Sequence, residues 1–153
     1  MIIRKAATKD AIGILELMKQ LIDLHHRLDP YYKQFSQYRN LRDYINEAAT
    51  SRDKILLVAE EDNAVLGYII GTIEETPFYA TEDKIGAIAD ATVAEQYRRR
   101  GVLRLLFNEA LAWFNKKGIK RIELSVDARN EAAVAAWKKL GFKDYKLRMY
   151  KNA

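Results

Sequence analysis

The sequence predicts a single α/β domain, spanning residues 1–153, with a mixed central sheet of about six strands flanked by about four helices. Three observations carry that expectation. Apolar runs of strand character alternate with runs of helical spacing in the order βααβββαβαβ. Two of the strand patterns meet at Asp62-Asn63, a composition suited to a tight hairpin. A further strand pattern, Ile85 to Val93, leads through Arg98-Arg99-Arg100-Gly101 directly into an apolar helical pattern. With 153 residues, 49% of them hydrophobic, the chain is long enough to bury one continuous core and too short for two domains.

Taken in order, Ile2 to Ala6 reads as a short strand, and Thr8 as the N-cap of a helix whose apolar positions are Ile12, Leu15, Met18, Leu21 and Ile22. Asp29-Pro30 ends that helix. An aromatic linker with Tyr31, Tyr32, Phe35 and Tyr38, able to roof a pocket, precedes a second helical stretch at Leu41-Tyr44-Ile45-Ala48. Ile55 to Ala59 and Val65 to Ile73 form an antiparallel pair, and Ile85 to Val93 a further strand. From Arg100 to Lys117, Leu103, Leu106, Phe107, Ala110, Leu111 and Phe114 recur at three and four residues, and Lys117-Gly118 supplies a basic last turn and C-cap. Ile119 to Val126 alternates as a strand, Asn130 to Leu140 is helical until Gly141, and Phe142 to Tyr150 reads as a last strand. No internal repeat or low-complexity segment interrupts this order.

Composition excludes several chemistries. There is no cysteine, so disulfides, thiolate catalysis and Cys-ligated zinc are ruled out, and the two histidines, His25 and His26, are adjacent, so no metal is expected. Neither histidine has a recognisable triad partner, and neither is assigned a catalytic role. The N-terminus lacks a secretory apolar segment, and no stretch approaches the roughly 18 uninterrupted apolar residues of a membrane span, so a cytoplasmic protein without membrane contact is expected. A net charge of +5, from 26 basic and 21 acidic residues, favours anionic ligands.

The arginine run stands where anions bind. The first amides of a helix lack intrahelical partners and carry about half a positive charge, so a phosphate there gains several hydrogen bonds at once. Gly101 permits close approach, and the arginines add countercharge. The plainer alternative, a solvated charge run, is the usual explanation of an isolated basic triplet.

The surroundings favour the first reading. Arg98-Arg99-Arg100-Gly101-Val102-Leu103 resembles the Arg/Gln-x-x-Gly-x-Gly/Ala signature of the GNAT family of N-acetyltransferases, with Leu103 departing from it. Leu124-Ser125-Val126-Asp127-Ala128-Arg129-Asn130, then Ala133 and Trp137-Lys138-Lys139-Leu140-Gly141-Phe142, is similar to that family's Leu-x-Val-x-x-x-Asn and Tyr-x-Lys-x-Gly-Phe elements. The resemblance implies a V-shaped opening, splayed by a β-bulge, between the strands ending at Val93 and near Val126, which admits acetyl-CoA. It further implies that backbone groups of Ala91, Thr92 and Val93 pair with pantetheine, with the Val93 amide facing the thioester carbonyl. On the same resemblance, the amides of Arg99, Arg100, Gly101, Val102, Leu103 and Arg104, with Arg98 before them, are expected to hold the pyrophosphate. Asn130 is expected to bind pantetheine or simply to cap its helix, and the resemblance sets Ala133 and Trp137 beside the cofactor, Trp137 by packing.

Acetyl transfer needs a neutral amine, hence a base. Asp90 is the only ionisable side chain from Ile85 to Val93 and is the candidate, although many members of the family carry the acid one place earlier, where Ala89 stands. Trp137 occupies the position of the family's proton-donating tyrosine, and an indole N–H does not ionise near neutral pH. Tyr145, Tyr150 or water is left to protonate the departing thiolate. On the acceptor side, the fold maps a groove onto His25, His26, Tyr31, Tyr32 and the segment from Glu74 to Asp83, where Glu74, Glu75, Glu82 and Asp83 form an acidic cluster suited to an ammonium group or merely exposed. The expected activity is acetyl-CoA-dependent acetylation of a primary amine borne by a small molecule or a protein. The alternatives are a CoA-binding sensor without turnover and, against the absence of any nucleic-acid motif, a nucleic-acid module. Leu147, Met149 and Tyr150 give the last strand enough exposed apolar surface for a homodimer.

Overall fold

The computed structural model describes all 153 residues and contains one five-stranded sheet in the order β1-β2-β3-β4-β5. The strands are β1 (Ile2–Lys5), β2 (Lys54–Glu61), β3 (Ala64–Glu75), β4 (Lys84–Val93) and β5 (Ile122–Leu124). The first four are antiparallel, and β5 joins β4 in parallel. Helices α1 (Ala11–Leu28) and α2 (Leu41–Thr50) cover one face; α3 (Val102–Lys116) and α4 (Glu131–Lys139) cover the other.

Asp62 and Asn63 turn the β2–β3 hairpin with φ of 50° and 63°, the left-handed pair that matches the twist of the flanking strands. The sheet then divides the expected single core in two. Ile14, Leu17 and Met18 of α1 and Ile45 and Ala48 of α2 pack on Leu56, Val58, Tyr68 and Ile70. On the opposite face Val102, Leu106, Phe107, Ala110 and Phe114 of α3 pack with Trp137 on Ile55, Leu57, Ile69 and Ile88. Phe114 is fully buried because two glycines make room for its ring: a Cβ at Gly86 would lie 2.7 Å from Phe114 Cε1, and one at Gly71 2.9 Å from Cζ.

Three sequence expectations are corrected. Thr8 does not cap α1; it opens a 3-10 turn, Thr8–Asp10, whose entry is capped by Asp10 Oδ2 accepting from the Ala7 amide at 2.7 Å. The Arg4 guanidinium grips both Asp10 oxygens (2.7 and 2.8 Å) and also bonds Glu60, joining β1, β2 and the start of α1 and holding the Asp10 carboxyl below its ordinary range. The strand expected over Ile119 to Val126 pairs only at Ile122–Leu124, because the Ile119 amide turns back to the Phe114 carbonyl (3.0 Å) and Asp127 Oδ1 accepts from the Arg129 amide (2.9 Å) in a turn. The sixth strand, Phe142 to Tyr150, does not form. The Phe142 ring is drawn onto Phe107 and Trp137 (5.3 and 5.5 Å between centroids), its amide bonds the Trp137 carbonyl, and no backbone hydrogen bond follows it.

Replacing Phe114 by alanine empties the seat between Gly71 and Gly86, and the unfolding free energy measured by urea titration is expected to fall by about 3–5 kcal/mol.

Candidate active site

The site is generated by a single extra residue in β4. Ile70 pairs with Asp90, but the next residue of β3, Gly71, pairs with Ile88, so Ala89 is inserted without a partner. Side chains alternate along a strand, and one inserted residue reverses which face the following ones take. Gly86 and Ile88 accordingly face α3, whereas Asp90 lies opposite Ile70 and Thr92 opposite Tyr68 on the face covered by α1 and α2. Ala91 and Val93 take over the α3 side.

The same insertion redirects the backbone. Ahead of it, the Gly86 amide donates to the Arg121 carbonyl of the segment leading into β5 (2.9 Å); beyond it, the Ala94 amide donates to Leu66 of β3 (2.8 Å). By alternation, the backbone groups of Asp90 and Thr92 belong to the β3 ladder, and those of Ala91 and Val93 face away from β3. Pairing with β5 stops at Ile88–Leu124, so the sheet opens there and Ala91 and Val93 present a free edge. Of the three backbone positions expected to meet pantetheine, the structure thus offers two and commits Thr92 to β3.

Arg98 to Gly101 connect that edge to α3. Gly101 is the N-cap residue at φ 79° and contributes no capping side chain, so the first-turn amides of Val102, Leu103 and Arg104 keep their donors. Arg99 is also left-handed, at φ 63°. Three of the four arginines make distinct contacts: Arg98 Nε donates to the Val93 carbonyl (3.1 Å), Arg100 lies over the Tyr97 ring and near Glu61, and Arg104 holds its guanidinium 3.6 Å from where a Gly101 Cβ would project. Leu103 packs against the α3-side core, so its side chain leaves the turn unobstructed.

Asp90 is the half-buried carboxylate at this opening. The Tyr68 hydroxyl donates to its Oδ2 at 2.9 Å, and Oδ1 is buried with no hydrogen bond of good geometry from the protein. Burial pushes the Asp90 carboxyl up to about 6, against the opposing donation from Tyr68. Tyr68 has no solvent exposure, and its phenol is raised well above its ordinary value by burial and by the Asp90 charge; Tyr44 of α2, on the same side, is raised to about 12 by the same causes. Sequence reasoning found Asp90 but not Tyr68 or Tyr44. A lone tyrosine in the otherwise aliphatic Val65–Ile73 run was the available signal, and only the register shows what it faces.

The remaining expected residues are distributed as follows. Asn130 Oδ1 accepts from the Ala133 amide (3.1 Å), which makes Asn130 the N-cap of α4 and occupies the Ala133 donor. Trp137 packs edge-to-face on Phe107 and Phe142 in the α3-side core. Tyr145 is exposed beside β5, its hydroxyl donating to Glu123 Oε2 (2.5 Å) under the Arg121 guanidinium. His26 pins the linker after α1, with Nδ1 2.6 Å from the Tyr32 carbonyl and Nε2 3.1 Å from the Gln34 amide. Arg129 bonds Asp127 (2.7 Å) and reaches Asp29 at the end of α1 (3.5 Å), and its guanidinium and amide hold Asp127 down at about 2.

Comparison with known proteins agrees with this geometry. A model of the Acetyltransferase (GNAT) family matches residues 18–142. An N-alpha-acetyltransferase of Sulfurisphaera tokodaii is 32% identical over 150 residues, which cover 95% of this chain and 81% of that protein. Among solved structures, a tetramutant of the BH1408 protein from Bacillus halodurans superposes with a TM-score of 0.88 at 25% identity over the whole of both chains. An aminoglycoside N-acetyltransferase in complex with CoA superposes at 0.75 with 17% identity over 99% of each chain. The inserted Ala89, the opened sheet edge and the left-handed Gly101 turn therefore sit in an acyltransferase fold, and the chain belongs to the GNAT family of acetyltransferases.

Proposed function

We propose that this enzyme moves an acetyl group from acetyl-CoA to a primary amine by direct attack of the amine on the thioester. The observation that carries the proposal is the free edge at Ala91 and Val93 lying next to the Gly101 turn: a strand-like donor with an anionic end matches an unpaired strand edge followed by unpartnered helix amides. The CoA complex of a structural neighbour supports the same donor. In this reading the backbone of Ala91 pairs with the pantetheine arm, while the Val93 N–H, whose own carbonyl accepts from Arg98, is kept for the thioester carbonyl. The amides of Val102, Leu103 and Arg104 hold the pyrophosphate, with the Arg104 guanidinium beside them.

The amine nitrogen attacks the thioester carbonyl, and the developing oxyanion is met by the Val93 N–H, a donor that strengthens as charge accumulates. Asp90, ionised above a pH of about 6, accepts the amine proton directly or through water. Collapse breaks the C–S bond. A thiol pKa of about 8.5 makes CoA thiolate a tolerable leaving group. Tyr145 or water protonates the departing thiolate, and the Tyr145 hydroxyl, which donates to Glu123, must leave that bond to do so. The extended match to an N-alpha-acetyltransferase favours an α-amine as acceptor, whereas the aminoglycoside enzymes share the fold at under 20% identity.

Gly101→Asp places a Cβ and a carboxylate where the backbone is left-handed and the phosphates are to lie. Calorimetry is expected to show acetyl-CoA binding weakened about tenfold or more, and unchanged affinity would remove the turn from the donor site.

Asp90→Asn is expected to lower kcat about a hundredfold or more while sparing acetyl-CoA affinity. Two groups, Asp90 and the acceptor amine, must lose protons, so kcat/KM in the wild type is second order in hydroxide below a pH of about 6, first order from there to the amine's own pKa of about 8, and level above it. In the variant it is first order up to that same amine pKa, with no change of slope near 6; a retained break near 6 would assign the base elsewhere.

The same substitution changes stability with a defined sign. The folded-state pKa of Asp90 is raised from 3.8 to about 6, so its ionisation opposes folding: the penalty is absent below 3.8 and complete once the pH has risen through about 6. About two pKa units set a ceiling of roughly 3 kcal/mol. Thermal unfolding of Asp90→Asn is therefore expected to exceed that of the wild type at pH 8, with the gap closing toward pH 4.

A further inference from the structure

Gly71 and Gly86 make room for a side chain, the Phe114 ring, whereas Gly67 makes room for backbone. A Cβ at Gly67 would lie 2.8 Å from the Thr92 carbonyl oxygen, 3.2 Å from Val93 Cγ2 and 3.3 Å from Val93 Cα. Gly67 is the β3 partner of Val93. A carbon does not sit 2.8 Å from an oxygen unless one of them moves, and neither the carbonyl oxygen nor the Cα is the free end of a flexible side chain. β4 therefore rests against β3 here at a distance that only glycine permits. The backbone of Gly67 is ordinary strand, without the positive φ of Gly101, so the missing Cβ is what the position requires.

What rests on Gly67 is a single peptide unit. The Thr92 carbonyl and the Val93 N–H belong to the same planar, trans group, so they point to opposite sides of β4. The carbonyl faces β3, and the N–H faces the opening. The next peptide unit is held as well: the Val93 carbonyl accepts from Arg98 Nε (3.1 Å), and the Ala94 amide donates to the carbonyl of Leu66, the chain neighbour of Gly67 (2.8 Å). The Val93 N–H is thus fixed from both sides, on one by hydrogen bonds and on the other by the close seat at Gly67.

We infer that Gly67 is a positioning residue for acetyl transfer: by lacking a Cβ it lets the Thr92–Val93 peptide seat against β3, and so aims the Val93 N–H at the thioester carbonyl. The inference rests on the role proposed above for that N–H and adds the residue that sets its direction. Hydrogen bonds weaken steeply with misalignment, and a donor to an oxyanion acts most strongly where charge develops. A Cβ that pushes the Thr92 carbonyl aside by a few tenths of an ångström therefore costs turnover rather than donor binding, because Ala91 and the Gly101 turn are left in place.

Gly67→Ala, with its fold checked by circular dichroism, is expected to lower kcat about tenfold or more, while calorimetry shows acetyl-CoA affinity within about threefold of the wild type. The infrared band of acetyl-CoA isotope-labelled at the thioester carbonyl reads the N–H directly. Bound to the wild type, the band is expected below its frequency for free acetyl-CoA in water, and in Gly67→Ala to move back up. Phe114→Leu, which loosens the core at Gly71 and Gly86, is expected to lower the Tm and to leave both the band and kcat in place, separating lost stability from lost aim. Should Gly67→Ala alone not fold, the same substitution in the Asp90→Asn background, expected to be the more stable one at alkaline pH, carries the infrared measurement, which needs no base. A folded Gly67→Ala protein with wild-type kcat, or with an unmoved carbonyl band, overturns the inference. A wild-type band at the frequency of free acetyl-CoA would instead remove the Val93 donor itself, and with it the reading on which the inference rests.

Discussion

The inserted Ala89 is the constraint on which the rest of the site depends. One unpaired residue in β4 does three things at once, since a strand has only two faces and two edges. It turns Asp90 and Thr92 from the α3 face to the α1–α2 face, it directs the backbone of Ala91 and Val93 outward, and it coincides with the end of pairing to β5 at Leu124. A regular β4 would bury Asp90 against α3 among Ile88, Val102 and Phe107 and would continue the ladder with β5. The opening is therefore a consequence of register, not of bulky side chains forcing strands apart.

That arrangement has an energetic cost which the remainder of the fold offsets. A carboxylate largely withdrawn from water opposes folding at neutral pH, and Tyr68 returns part of the loss by donating to Oδ2. The compensation comes from elsewhere. Two apolar layers clamp the sheet, and at the far edge Arg4 gathers Asp10 and Glu60 in a network that anchors β1, β2 and α1. Polar groups at that edge are mutually satisfied, whereas Asp90 Oδ1 is left without a good partner. Asp90 Oδ1 and Thr92 Oγ1 are the two buried side-chain oxygens without a partner, and both belong to the part of β4 that the inserted residue has turned toward α1 and α2.

What the sequence disclosed follows from which signals are local. Helical spacing, the Asp62-Asn63 turn, Gly101 and the N-cap reading of Asn130 are set by neighbours a few residues away, and these agree with the structure. The bulge is not local in that sense. From Gly86 to Ala91 the small residues Gly86, Ala87, Ala89 and Ala91 fit either face, so the pattern carries no trace of the reversal. The Tyr68–Asp90 contact required the β3–β4 register, which residue types do not encode. The sixth strand was overcounted for the opposite reason: the alternation from Asp144 to Met149 is a real strand pattern, but a pattern does not supply the neighbouring strand that would pair with it. Thr8 failed as a cap because Asp10, two residues on, is held by Arg4 from another strand.

The arginine run shows how the backbone can outrank side chains in such a site. As a set of charges it looks like a phosphate clamp, yet Arg98 bonds the Val93 carbonyl and Arg100 lies against Tyr97 and Glu61, while the Arg104 guanidinium stands beside the Gly101 turn. Arg98 thereby joins the end of the open strand to the start of the turn, fixing the distance between the two surfaces proposed to hold the donor. If recognition rests on amides whose direction is set by the left-handed Arg99 and Gly101, the third signature position is free to vary in any way that keeps its side chain off the turn. Leu103 meets that requirement by packing into the α3-side core, which explains how the chain departs from the family pattern there and still presents the same backbone.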